Sequence, residues 1–213
     1  MSEAAIAKVG WVDPMLREEF PALALRYALV DAGSGRSTPE LKSRLKHLSD
    51  RFSGPQAINL RHQPIPWSYR VFYRHIGLDP DQQATPVEEL ALDRMRHGGF
   101  RSRNLLDDAL TIAIIESGVA VRAFDADRVS GEPGIRPTIA GETLEGRPGE
   151  LPEGTLVIAD SERPLSLLFG ALAAGRGVHP KTKRTLLIAI QVAGVPELAV
   201  EEALWLVAEV LHG

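Results

Sequence analysis

The chain of 213 residues contains no cysteine. It therefore cannot form disulfides, present a thiolate nucleophile or bind zinc through thiolates, and this composition is typical of proteins of the reducing cytosol. Apolar runs approaching the ~20 residues of a membrane-spanning helix are also missing. The N-terminal segment lacks the basic flank and apolar core of a signal peptide. We therefore expect a soluble, cytoplasmic protein that does not enter a membrane.

Basic residues are fewer than acidic ones, with 24 Lys and Arg against 28 Asp and Glu and a net charge of -4. A non-specific nucleic-acid binder usually needs a broad basic surface, so any RNA contact here would have to be local. Two basic clusters could provide such a local contact. The first surrounds Gly98-Gly99, and the second follows His179-Pro180. The candidate RNA-phosphate contacts within them are Arg101, Arg103, Lys181, Lys183 and Arg184. On the residues alone we favour the alternative of ordinary solvated surface charge.

Well-known catalytic motifs are missing as well. The six histidines include no pair at the spacing of a zincin helix, and none neighbours a carboxylate cluster with metal-ligand spacing. No Gly-x-Ser-x-Gly elbow is present, and the glycine-rich segment 170–177 matches neither a phosphate-binding loop nor a complete dinucleotide fingerprint. We expect neither metal nor cofactor, and the catalytic residues stay unassigned.

Clear local signals divide the chain into early helices and late strands. An apolar strand is predicted over 23–30, and helices over 38–52, 65–76, 85–97 and 104–117. The helix starts carry Thr38-Pro39 and the capping box Thr85-Pro-Val-Glu88, and Gly98 and Gly118 mark helix ends. The aromatic residues of the 65–76 helix, read as a core stripe rather than a base-stacking platform, are Trp67, Tyr69, Phe72 and Tyr73.

After Gly118 the pattern changes to short strands separated by turns. Strands are predicted over 119–124, 135–139, 155–159, 164–169 and 184–190, and an amphipathic helix over 197–211 closes the chain. Helices and strands without strict alternation predict an α+β fold, with a mixed or antiparallel sheet of short strands flanked by helices. We expect one domain over 1–213, made of an N-terminal part (1–62) and a larger part (67–213).

Several segments together resemble a known family. They include Arg70-Val-Phe-Tyr-Arg-His-Ile-Gly-Leu-Asp-Pro80, the stretch 104–118, Ala123-Phe-Asp-Ala-Asp127, Gly141-Glu-Thr143, Leu156-Val-Ile-Ala-Asp160 and Thr182-Lys-Arg-Thr-Leu-Leu187. Their order and spacing resemble the editing domain of the β subunit of bacterial phenylalanyl-tRNA synthetase (the B-three/B-four domain), and in particular its free-standing versions. The likeness runs from about Trp67 to the end, and residues 1–62 match only weakly.

The resemblance implies an α+β domain with a pocket between sheet and helices, where tyrosine wrongly attached to tRNA is hydrolysed. This chain departs from the family pattern at three places. Arg122 stands where the family has histidine, Ala173-Ala174 where it has a glycine pair, and Ile188 where it has the glutamate that reads tyrosine. An apolar side chain at 188 cannot accept a hydrogen bond from a phenol. The pocket residues that the resemblance implies are Arg122, Phe124, Gly170, Ala173, Ala174 and Ile188.

Two functions follow from this interpretation. The first is an RNA-binding domain of the editing type, which binds tRNA or aminoacyl-tRNA and hydrolyses a mischarged ester in trans. Arg122 would then be the candidate ligand-binding side chain, because a guanidinium binds carboxylate or phosphate. The second is a module without catalytic activity that binds a small molecule or a protein.

Overall fold

The computed structural model describes residues 7–52 and 54–212. The helices are α1 (Pro14–Glu19), α2 (Pro39–Arg51), α3 (Gly54–Asn59), α4 (Pro64–His75), α5 (Pro86–His97), α6 (Leu105–Ser117) and α7 (Glu197–His212). The strands are β1 (Lys8–Val9), β2 (Trp11–Val12), β3 (Ala24–Val30), β4 (Val121–Asp125), β5 (Gly134–Pro137), β6 (Leu156–Ala159), β7 (Pro164–Leu167) and β8 (Thr185–Gln191). The predicted helices and strands are present, with ends shifted by a few residues.

Two four-stranded sheets organise the fold. The first is antiparallel, with strand order β1-β3-β8-β4. The second has the order β2-β5-β6-β7 and is mixed, because β2 pairs parallel to β5 while the other pairs are antiparallel. This confirms the predicted α+β class. The sequence did not predict β1, β2, α1 and α3, which are too short to show a periodic pattern.

Helix ends form where local chemistry predicts them. The Thr38 side chain accepts a hydrogen bond from the Leu41 amide at 3.2 Å, and Thr85 with Glu88 forms the predicted capping box of α5. Gly98 and Gly118 both adopt positive φ at the ends of α5 and α6, a conformation that glycine reaches without a Cβ penalty. These caps set the start of α2, both ends of α5 and the end of α6.

The main hydrophobic core lies between the first sheet and the helices. Helix α7 packs against β3, β8 and α6, and α6 also packs against β4. In α4, Tyr69, Phe72 and Tyr73 are buried as predicted, but Trp67 is 44% exposed. The prediction of a four-residue core stripe was therefore wrong at Trp67. Residues two positions apart in an α-helix point about 200° apart around the helix axis, so Trp67 and Tyr69 point to opposite sides.

The described helices contain no segment that is both long and apolar enough to cross a bilayer.

Candidate functional site

Arg122 links the two sheets at one edge of β4. It pairs directly with Ile188 of β8. Its guanidinium reaches the end of β7, where Nη1 donates to Ser166 Oγ at 2.9 Å, to the Leu167 carbonyl at 3.0 Å and to the Gly170 carbonyl at 3.3 Å. One nitrogen of Arg122 therefore holds the turn that follows β7 against the first sheet.

The other nitrogens of Arg122 stay available. Within the described chain, Nε and Nη2 have no hydrogen-bond partner, and the side chain is partly buried. Burial lowers the pKa of Arg122, and the neighbouring Tyr73 and Glu89 act in the opposite direction. An arginine stays protonated in proteins, so the site presents a fixed cation with two unused donor groups.

Arg122 lines a cavity of about 420 Å³. Its walls come from α4, α5, the start of β4 and the 168–171 turn. The lining residues are Tyr73, Gln83, Ala84, Pro86, Glu89, Leu90, Ile114, Ala120, Val121, Arg122, Leu168, Phe169, Gly170, Ala171 and Ile190. Most lining residues are apolar, but Tyr73, Gln83, Glu89 and Arg122 add polar side chains, a combination that occurs in small-ligand sites.

Tyr73 brings a buried hydroxyl to this cavity from α4. The residue has 0% relative exposure, and among the described residues its Oη atom has no hydrogen-bond partner. Its ring packs on Phe169, with ring centroids 4.9 Å apart. Burial raises the pKa of Tyr73 well above its usual value, so the hydroxyl keeps its proton. It is therefore a potential hydrogen-bond donor at the cavity wall.

Glu89 stands at the mouth of the cavity on α5. Its side chain is solvent-exposed, but partial desolvation by the surrounding protein raises the pKa of the carboxyl group, and Arg122 acts against this shift. Gln83 closes the same side, because its Nε2 donates to the Phe169 carbonyl at 3.1 Å. This bond ties the loop before α5 to the turn that Arg122 holds.

A second cavity of about 580 Å³ adjoins the first. Residues common to both are Gln83, Ala84, Glu89 and Leu90. We call this second cavity the α5–α6 groove; its lining includes the exposed cations Arg96, Arg101 and Arg103. Asp93 and Asp107 also line it, and Asp93 lies 4.0 Å from Arg103. Together with Glu89, these acids equal the arginines in number, so the groove carries mixed charge with no net excess of either sign.

The structure separates the six residues that the resemblance placed in a pocket. Arg122 and Gly170 line the cavity. Phe124 and Ile188 are fully buried in the main core on the same sheet face as Arg122. Ala173 instead packs in a second, smaller core with Leu144, Leu151, Val157 and Ala159. Ala174 is exposed beside Gly146.

The two basic clusters also occupy different places. Arg101 and Arg103 line the α5–α6 groove. Lys181, Lys183 and Arg184 lie in the exposed segment that leads into β8, where Arg184 pairs with Asp127 at 3.1 Å. The groove thus joins only the first cluster to the Arg122 cavity.

Sequence reasoning missed Glu89 and assigned Tyr73 only to the core. Glu89 follows the capping-box Glu88, so it looks like an ordinary first-turn acid favoured by the helix dipole. At Tyr73 the hydroxyl could have indicated a role beyond packing, because the hydroxyl of a buried tyrosine normally has a hydrogen-bond partner. Within residues 7–52 and 54–212, no group of three or more histidine or acidic side chains is placed to hold a metal ion.

The B3/4 domain model matches residues 68–203, more than half of the chain. The chain belongs to the B3/4 domain family. The match includes Arg122, Tyr73, Glu89 and Gly170, so the whole Arg122 cavity lies inside the B3/4 domain. This confirms the family that the sequence segments indicated.

Curated relatives of this B3/4 domain are phenylalanine–tRNA ligase beta subunits. Identity is 39% over 101 residues with the protein from Xanthomonas oryzae pv. oryzae, and 33% over 98 residues with that from Legionella pneumophila. The protein from Yersinia pestis is 35% identical over 100 residues. Each match covers 45% of this chain and spans only 12% of the relative's length.

Proposed function

We propose that this B3/4 domain binds the aminoacylated 3′ end of tRNA and hydrolyses a mischarged aminoacyl ester in trans, in the cytoplasm. The observation that carries the proposal is Arg122, which has unpaired N–H donors and lines a ligand-sized cavity that adjoins a groove with three arginines and three acids. The relatives, named as tRNA ligase subunits, make the acceptor end of tRNA the natural occupant of that pair of cavities.

The two cavities divide the ligand between them. The aminoacyl group enters the cavity of about 420 Å³, and the terminal nucleotides run along the α5–α6 groove. Arg101 and Arg103 there neutralise phosphates, since cationic side chains supply most of the affinity for a nucleic-acid backbone. Because the groove also contains carboxylates, this contact is local and weak without the aminoacyl group.

Arg122 supplies the chemistry of the ester group. Water adds to the ester carbonyl carbon, the bond to the ribose oxygen breaks, and the products are a free amino acid and tRNA with its terminal hydroxyl restored. Negative charge develops on the carbonyl oxygen in between. Fixed donors aimed at that oxygen lower the barrier, and Nε and Nη2 of Arg122 are such donors.

The test is deacylation of a panel of mischarged tRNAs by the purified chain. We expect hydrolysis of at least one ester, and we expect Arg122→Lys to slow it by ~100-fold because a lysine cannot reproduce the planar donor fork. Arg101→Gln with Arg103→Gln should weaken binding and reduce its salt dependence. Arg17→Gln, an exposed change on α1, is the matched control. Inactivity of the wild-type chain on every tRNA would refute the hydrolase.

A second candidate is a binding module that lacks turnover. The mixed charge of the α5–α6 groove favours it, because Asp93 and Asp107 would repel an extended phosphate chain. It predicts binding of small ligands in the Arg122 cavity with little salt dependence and no deacylation. Measuring affinity at low and high salt separates the two candidates.

A further inference from the structure

Glu89 is unusual among the acids of α5. Glu88 bonds to Arg70 at 2.7 Å and closes the capping box, and Asp93 pairs with His97 at 3.0 Å. The Glu89 carboxylate forms no hydrogen bond or ion pair with any residue that the structure describes. It also lines both cavities, so it stands at their junction.

Two further residues with polar groups, Arg122 and Tyr73, line the same cavity. Arg122 has unused donors, and the fully buried Tyr73 hydroxyl has no partner in the described chain. A buried hydroxyl without a partner is unfavourable, because it has lost its bonds to water. Such a group at a cavity wall indicates a ligand that completes its hydrogen bonding. The cavity therefore presents an anion at its mouth and a cation and a neutral donor further in.

This order of charges matches an α-aminoacyl group. The ligand carries an ammonium group on the carbon next to its carbonyl, so a cationic end and an oxygen acceptor sit side by side. Glu89 and Arg122 are close enough for each to influence the other's titration, yet they do not form an ion pair. A ligand with both groups can satisfy the carboxylate and the guanidinium together.

We propose that Glu89 binds the α-ammonium group of the ligand while Arg122 binds its carbonyl oxygen, so that the site selects acyl groups with an unblocked α-amino group. The inference rests on the proposed function for the identity of the ligand. The same chemistry is offered by a free amino acid, whose carboxylate would take the place of the ester carbonyl. The experiment below distinguishes the two sources.

The probes are non-hydrolysable amides in which leucine, phenylalanine or serine is joined to 3′-amino-3′-deoxyadenosine. Each is paired with its desamino counterpart, which lacks the ammonium group but adds no bulk, and the free amino acids form the third arm. Calorimetric titration of the wild-type chain should give at least one amide that binds ~10-fold more tightly than its desamino partner, the size expected for one charge-assisted contact.

Glu89→Gln should cut that preference to ~3-fold or less, since the amide keeps the shape but not the charge. It should leave the affinity for the desamino compound unchanged. Glu209→Gln is the matched control, because it makes the same charge change at an exposed position of α7. Circular dichroism of both variants verifies that they fold.

Each outcome bears on one of the two claims. Equal binding of amide and desamino probes, or a preference that survives Glu89→Gln, would overturn the role of Glu89 and leave the proposed function intact. Binding of free amino acids without binding of any amide would support ammonium recognition and refute the tRNA ligand. Failure of all three arms would refute both.

Discussion

Arg122 and Ile188 are direct partners across β4 and β8, and residues paired in this way project from the same face of a sheet. Ile188 is fully buried, while Arg122 reaches from that face to the turn after β7. Two of the positions at which the resemblance implies a departure from the tyrosine-reading pattern are therefore neighbours. Ile190, two positions further along β8, is the strand residue that lines the cavity.

This pairing predicts that the stability cost of Ile188→Glu depends on Arg122. A buried carboxylate costs several kcal/mol unless it is paired, so we expect Ile188→Glu to lower the free energy of unfolding by about 3 kcal/mol. The loss should be larger by about 1–2 kcal/mol when Arg122 is changed to Met, because the neighbouring guanidinium then no longer compensates the charge.

Urea unfolding of the wild type, both single variants and the double variant forms the double-mutant cycle. Ile188→Leu serves as the control for disturbed packing, with an expected cost below about 1.5 kcal/mol. Strictly additive costs would show that the side chains at 122 and 188 do not interact.

The sequence predicted the parts of the fold whose cause is local. The capping box at Thr85 and Glu88 and the left-handed glycines at 98 and 118 depend on a few consecutive residues, and each is present. The two-residue strands β1 and β2 exist only through their partners β3 and β5, so no run of residues indicated them.

The candidate site was harder to predict because it is assembled from distant segments. Arg122 was identified from the family segment at 123–127, but Glu89 lines the same cavity only because α5 lies near the start of β4. Ala173 and Ala174 were expected beside Arg122, whereas the turn that ends with them directs Gly170 to the cavity and Ala173 to the smaller core.

Tyr73→Phe should separate stability from binding. Removing a buried hydroxyl that lacks a protein partner removes an uncompensated desolvation cost, so we expect the free energy of unfolding to stay constant or rise by about 1 kcal/mol. Ligand affinity at the Arg122 cavity should fall, because a donor at its wall is lost. Tyr69→Phe is the contrasting control.

The Tyr69 hydroxyl accepts from the Ala120 amide at 3.1 Å and donates to the Ile190 carbonyl. Its removal leaves two buried backbone groups unpaired and should cost about 2 kcal/mol. Thermal unfolding of the two variants gives the comparison, and equal losses for both would contradict the assignment of Tyr73 as an unpaired group.

Arg70→Met tests the ion-pair network beneath α5. Arg70 is 4% exposed; it donates to the Pro80 carbonyl at 3.3 Å and to Glu88 at 2.7 Å, and it also pairs with Asp81. Removing one member of a buried pair leaves the others uncompensated, so we expect a loss of about 3 kcal/mol.

Arg74→Met, one turn further along α4 and exposed, should cost less than about 1 kcal/mol. Urea unfolding measures both variants. Because Arg70 also fixes Glu88 at the start of α5, Arg70→Met should additionally weaken ligand binding at Glu89. Unchanged stability of Arg70→Met would mean that the network contributes nothing.

Acid stability should depend on Glu142, which lies in the loop after β5 and pairs with Arg136 of that strand. Its carboxylate accepts two hydrogen bonds from Arg136, at 2.7 and 2.5 Å, and these bonds hold the pKa of Glu142 below its usual value of 4.5. A carboxyl group whose pKa is lower in the folded state binds its proton more readily when unfolded. The stabilisation is therefore fully present above pH 4.5 and is lost as the pH falls through the lowered pKa.

Glu142→Gln should reduce the free energy of unfolding by about 1 kcal/mol at pH 7 and flatten its decline below pH 4.5. Glu150→Gln, an exposed change close in sequence, should leave both the stability and the acid slope unchanged. Urea unfolding repeated from pH 3 to pH 7 gives the curves. Parallel curves for the wild type and Glu142→Gln would mean that the pair with Arg136 does not cause the loss of stability at low pH. The proton linked to unfolding would then belong to another carboxyl group.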